Sequence, residues 1–197
     1  MEEPYVHKIF IRDKHRFAPH PEIKTFVGKT GLDGNKVTDN PDKAIFCYPI
    51  QHYTYWNDIL DPPFSDFGEL GEDMAVLEMG EQSVCIGDSY AVGDTVLQVS
   101  QPKSDTRFLD KEMAMKMLKT GKTGWYFRVL KEGYMQAGSD LTLLARPYPN
   151  WTIAACNEVM HLYKDDLRLT NDLAHCELLA DSWRKILLKR LGGRAIL

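Results

Sequence analysis

Thr120-Gly-Lys-Thr-Gly-Trp-Tyr-Phe-Arg-Val-Leu-Lys-Glu-Gly133 is the stretch on which the fold turns. Gly121 and Gly124 permit backbone turns that other residues resist. After them Trp125, Phe127 and Val129 alternate with Tyr126, Arg128 and Leu130 at the period of a β-strand. Arg128 therefore sits in mid-strand, where a guanidinium needs a partner. Two readings are open: an ion pair with an acidic neighbour at a sheet edge, or a bidentate hold on a planar anion such as a phosphate or carboxylate.

Outward from this strand, the first three quarters of the chain read as short strands. Val84 and Ile86 alternate before Gly87-Asp88, Tyr90 and Val92 before Gly93-Asp94, and Leu97 and Val99 after it, with a further turn signal at Gly138 to Asp140. The spacing predicts a small, mostly antiparallel, closed or nearly closed barrel. Two helices are predicted within it. One is an aromatic-rich segment from Lys43 to Leu60; the other runs from Asp110, as cap, to Lys119, with Met113, Met117 and Leu118 on one core-directed face. Near Pro147-Tyr-Pro-Asn150 the pattern changes to helical period. Thr152 is a plausible cap for a helix presenting Ile153, Cys156, Val159, Met160 and Tyr163, and a short helix follows near Asp172 to Leu179. A third presents Trp183, Ile186, Leu187, Arg190 and Leu191, begins near Asp181 and ends at Gly192-Gly193. The chain thus divides into a barrel domain, 1–149, and a three-helix domain, 150–197.

Composition bounds the function. With 197 residues, 44% hydrophobic and 26% charged, the chain can bury a sizeable core, and a net charge of −4 gives no basic tail to steer it towards nucleic acid. Lys185, Lys189, Arg190 and Arg194 read as a solvated helix face, so nucleic-acid binding is not expected. No apolar run approaches the roughly 20 residues of a membrane span, and charges interrupt Met1 to Phe17, so a cytoplasmic location is expected. Cys47, Cys85, Cys156 and Cys176 are scattered without Cys-x-x-Cys spacing and read as free, packing thiols.

Further segments carry a resemblance. They are Gly31-Leu-Asp-Gly-Asn35, Pro41-Asp-Lys-Ala-Ile45 with Tyr48 and His52-Tyr53, Gly71-Glu-Asp-Met74, Ile86-Gly-Asp88, Leu97-Gln-Val-Ser-Gln-Pro102, the Gly121 to Gly133 unit, and Ser182-Trp183 with Lys189-Arg-Leu191. In this order the chain resembles a MOSC-domain protein of the bacterial type linked to N-hydroxylaminopurine resistance, in which a MOSC β-barrel with interspersed helices precedes a three-alpha domain. The resemblance implies a molybdenum cofactor (molybdopterin) and reduction of N-hydroxylated bases or related small molecules, fed by a separate electron-donor protein. The alternative it implies is a non-catalytic sulfur or cofactor carrier, served by a pyridoxal-phosphate-dependent desulfurase. Lys43, Asp73, Gln101, Lys103 and Arg128 are the candidate cofactor-binding residues, with His52 as candidate proton donor. Arg128 is expected to point into the pocket beside Lys43 and Gln101.

The sequence also departs from the family. His-Gly-Gly is missing before Pro41, and Pro-Cys, with the cysteine expected to meet molybdenum, is missing after Lys103. Asp73 stands where an asparagine is usual, a carboxylate suited to a pterin amine. Since the flanking residues match, we expect interruptions at Asn40/Pro41 and Lys103/Ser104 that open onto one pocket. Absence of Pro-Cys from the complete chain would favour the non-catalytic reading.

Overall fold

The computed structural model describes residues 3–13, 16–19, 24–36, 38–104 and 111–193. Among them, one sheet has the strand order β11 (Thr142–Ala145), β7 (Ser89–Val92), β8 (Thr95–Pro102), β9 (Trp125–Lys131), β5 (Ile45–Pro49), β6 (Met74–Leu77), β1 (Tyr5–Asp13), β2 (Arg16–Pro19). Its pairs are antiparallel except β5 with β6. The sheet curls into a half-barrel. Backbone bonds from Val6 to Ser139, Gly138 to Val6 and Leu141 to Pro4, each 2.8 Å, draw the start of β1 against the chain entering β11. A small second sheet joins β10 (Gly133–Met135), β3 (Thr25–Gly28) and β4 (Gly31–Leu32).

The alternation read in β9 is real: Trp125, Phe127 and Val129 are buried, whereas Tyr126 and Arg128 are partly exposed. The helix expected from Lys43 to Leu60 is not one element. It comprises a 3-10 turn (Pro41–Lys43), the strand β5 and the helix α1 (Gln51–Asn57). All five residues of β5 are buried, so its apolar run does not alternate and mimics a buried helix in the sequence. Ile45 and Cys47 enter the main core; Phe46 and Tyr48 enter a second one with Tyr53, Trp56, Met113 and Met117. The methionine stripe of α2 (Lys111–Thr120) is thus core, as its spacing predicts; the expected cap Asp110 lies outside the described residues. Val84 to Ile86, read as a strand, is a turn with only an isolated bridge from Cys85 to Thr152.

Thr152 caps α3 (Ile153–Asn157) by accepting from Ala155 N at 3.0 Å. The helix then widens into a π turn, Glu158–Leu162, whose carbonyls at Val159 and Met160 accept from Arg190 at 2.8 and 2.9 Å. Arg190 therefore braces this turn instead of belonging to a solvated basic face, and Arg194 lies outside the described residues. The second helix, α4, spans Leu167–Ala174, earlier than expected because Asp166 caps it through Leu169 N at 2.9 Å. The last, α5, spans Asp181–Gly192 and buries Trp183 and Leu187. Ala180 N to Ser100 O (2.9 Å) and Ile86 N to Trp151 O (2.8 Å) tie the helices to the half-barrel, and the main core runs through both. No described helix is long and apolar enough to cross a membrane.

Candidate functional site around Gly124

Gly124 is the hinge of the site. Its φ of +66° is a left-handed conformation, and a Cβ there would strike Cys47 O and the Tyr48 ring. The tight approach gives both peptide groups a use. Gly124 N–H donates to Glu81 Oε1 at 2.8 Å, and Gly124 O accepts from Lys103 N at 3.2 Å. Two constellations flank it.

On one side a buried acid–imidazole pair forms the floor of a cavity of about 410 Å³. His52 Nε2 lies 2.7 Å from Glu81 Oε2, with both residues buried, and Lys122 Nζ lies 3.4 Å from His52 Nδ1. A carboxylate on one nitrogen and an ammonium on the other select the Nε2–H tautomer. The cavity separates α1 and the Gly121–Lys122 turn from α3, so both the half-barrel and the helices line it. Such a pair can hold a proton at the wall of this half-open cavity. His52, the candidate proton donor, is thus one half of this pair.

On the other side lies a shelf of cations on aromatic rings. Lys43 Nζ stands 5.6 Å over Tyr126 and Lys103 Nζ 3.8 Å over Phe46, with the two rings 5.5 Å apart. Beneath it Glu72 is fully buried. Its Oε1 accepts from Tyr53 Oη at 2.6 Å and Gly68 N at 2.8 Å, whereas Oε2 has no hydrogen-bond partner. Burial raises the Glu72 carboxyl from its usual range against these bonds and the charge of Lys103. Burial, followed by the charge of Glu72, raises Tyr53 as well.

The remaining candidates are engaged in structure. Arg128 does not point into a pocket with Lys43 and Gln101. Its Nε binds Asp42 Oδ1 at 2.8 Å, Nη1 binds Gln98 Oε1 at 3.1 Å and Nη2 binds Leu178 O at 3.0 Å, which locks the sheet to the helical region. The carboxylate of Asp42, directly after Pro41, decides between the two readings of this arginine in favour of the ion pair. Gln101 accepts from Ser182 Oγ at 2.8 Å and donates to Pro102 O. Asp73 accepts from Asn35 Nδ2 at 2.9 Å and from Phe46 N at 2.8 Å, so its carboxylate organises the strand entry.

The expected interruptions are also corrected. Asn40 caps the 3-10 turn, its Oδ1 accepting from Asp42 N at 3.0 Å and its carbonyl from Lys43 N at 2.9 Å, a geometry that requires Asn40 and Pro41 to be bonded neighbours. Ser104 directly follows Lys103 in the complete sequence; residues 105–110 lie outside the described residues. No Pro-Cys is present. All four cysteines are buried, and burial is the main cause raising each thiol; beside Cys47 the Glu81 charge adds to it. Cys47 is in central strand β5, not a helix. No described group of three or more His, Cys, Asp or Glu side chains is arranged to hold a metal. Sequence reasoning missed Glu81, Lys122 and Asn157. Lys122 is flanked by the paired glycines and Asn157 is a polar residue on the buried face of α3, but nothing local marks Glu81.

Residues 34–142 match the MOSC domain and residues 151–194 the YiiM-like, 3-alpha helix domain. The chain is 36% identical over 155 residues to the uncharacterized protein YflK of Bacillus subtilis (strain 168), covering 76% of this chain and 70% of that one. It is 33% identical over 163 residues to a "Reductase" of Gibberella moniliformis (strain M3125 / FGSC 7600), covering 77% of this chain but 28% of that longer protein. The crystal structure of YiiM from Geobacillus stearothermophilus superposes with a TM-score of 0.80 at 30% identity, covering 95% of this chain and 99% of that one. The chain belongs to the MOSC-domain family, in its YiiM-like form with a C-terminal 3-alpha helix domain.

Proposed function

We propose that the chain is a molybdenum-cofactor-binding MOSC protein that holds the cofactor by its organic part and serves as a carrier or binding module. The observation that carries this reading is the cation–aromatic shelf beside a chain with no available thiolate. The partly exposed Tyr126 ring suits a planar pterin and Lys43 suits its phosphate, with Lys103 over the buried Phe46 ring as the cationic wall behind them. The soft metal centre calls for a thiolate, and the buried, protonated thiols do not fit that need. A cofactor held only by its organic part can be passed on, with a pyridoxal-phosphate-dependent desulfurase as the sulfur source.

A second reading is a reductase of N-hydroxylated compounds supplied by a separate electron donor. Similarity to the Gibberella protein named "Reductase" favours it, as does the His52–Glu81 pair. Converting R–NHOH to R–NH2 and water consumes two electrons and two protons, and the pair is a local proton reservoir. When bound, the cofactor would supply the two-electron chemistry.

Expression in a cofactor-producing host tests both. Pterin released on denaturation, read as its fluorescent oxidation product, is expected to copurify with the wild type. It should fall about tenfold or more in Lys43→Ala and Lys103→Ala variants of unchanged melting temperature, since each loses a charge-assisted contact. Equal pterin in all three proteins overturns the shelf as the binding site. Turnover of an N-hydroxylated base with a chemical reductant overturns the carrier in favour of the reductase.

A further inference from the structure

We propose that the outer face of α2, with the cavity rim beside it, is the docking surface for a small acidic electron-transfer protein. The kind of partner rests on the reductase reading; the place of docking does not. Residues 111–122 hold four lysines and one glutamate in a chain whose net charge is −4. Glu112 and Lys116 pair along the helix at 2.7 Å, so Lys111, Lys119 and Lys122 set the sign of this face. Lys111, Met115 and Lys119 recur at intervals of four and form one exposed stripe, opposite the side on which Met113 and Met117 are buried. Met115 at its centre is 56% exposed. The stripe runs on to Lys122, whose Nζ stands 4.9 Å over the exposed Tyr55 ring, and to Leu118 and the exposed Leu162, which line the cavity with Lys119 and Lys122. An apolar centre among cations fits a partner that carries an apolar anchor within an acidic rim. Because the whole chain is acidic, the opposite sign of this face turns an approaching acidic protein towards α2.

The packing behind the face gives the partner its class. Tyr55 touches Trp56 with ring centroids 4.9 Å apart, and Trp56 Nε1 donates to Tyr48 Oη at 2.6 Å. Tyr48 lies 6.0 Å from Phe46, and Phe46 5.5 Å from Tyr126. Trp56, Tyr48 and Phe46 are buried, whereas Tyr55 is exposed on the docking face and Tyr126 is partly exposed on the shelf. A continuous chain of packed rings therefore joins the docking face to the shelf. The species oxidised is the partner's reduced flavin or iron–sulfur centre. The species reduced is the N-hydroxylated compound, which takes the two electrons and two protons that cleavage of its N–O bond consumes.

The test is binding of two probes to the wild type, an acidic flavodoxin and an acidic two-iron ferredoxin, each followed by the anisotropy of an attached dye. Saturable one-to-one binding of at least one probe is expected at about 20 mM salt, weakening about tenfold or more at about 200 mM. The double variant Lys111→Glu with Lys119→Glu should weaken it about tenfold or more, since two charges of the face are reversed. Lys185→Glu with Lys189→Glu, on the exposed side of α5, changes the net charge equally and should leave binding within about twofold. All four lysines are exposed, so melting temperatures should not change. No saturable binding of either probe at low salt, or equal weakening by the two double variants, overturns the docking face. Tighter binding of duplex DNA than of either probe, or self-association that the α2 variant loses, overturns the acidic partner in favour of nucleic acid or a second copy. Binding is read without turnover, so a failed docking face is distinguishable from a failed reductase reading, which turnover with a chemical reductant reports.

Discussion

Replacing Arg128 with methionine keeps the aliphatic stem and removes the guanidinium that joins Asp42, Gln98 and Leu178. The Arg128 and Asp42 side chains are 19% and 21% exposed, so the carboxylate left behind regains water only in part. Removing one partner of a buried ion pair costs about 3–5 kcal/mol, and partial exposure places this case near ~3 kcal/mol. In a chain of this size each kcal/mol moves the melting temperature by about 2–4 °C, so a fall of roughly 6–12 °C is expected. Urea unfolding at pH 7 of the wild type, Arg128→Met, Asp42→Asn and the double variant closes a cycle. Its coupling energy should be about 1–2 kcal/mol. Arg128→Met within ~0.5 kcal/mol of wild type, or a coupling near zero, would refute the view that this arginine is structural.

Glycine substitutions separate strain from collision. Gly121→Ala meets open space at φ +69° and should cost ~1–2 kcal/mol, whereas Gly124→Ala also collides with Cys47 O and should cost more than ~3 kcal/mol; equal losses in thermal melts would contradict the packing described. His161 is held below its ordinary 6.5 by burial, then by Lys164 and Arg190. Between that lowered value and 6.5 the unfolded chain takes the proton and the folded chain does not. Stability should therefore be lost as pH falls through 6.5, and His161→Phe should flatten this part of the profile. Identical slopes between pH 7 and 5 would refute the assignment. Since all four thiols are buried with raised pKa values, an aromatic disulfide reagent at pH 8 should label none rapidly in the native protein and four in denaturant; one fast native thiol would reopen the question of a metal ligand.

The sequence by itself determined the family, the β9 strand, the change to helices near residue 150, the cap at Thr152 and the start of the last helix near Asp181, because alternation and capping are local properties that survive tertiary context. It misread Ile45–Pro49 because a strand buried on both faces has no alternation to read. Only the tertiary structure decided the site. Arg128 looked like an anion ligand until the chain brought Asp42 to it from 86 residues away, and Glu81, unmarked in sequence, gained its meaning from His52 and Gly124. A side chain's charge is written in the sequence, but whether that charge is spent within the fold or offered to a ligand depends on long-range partners that only packing supplies.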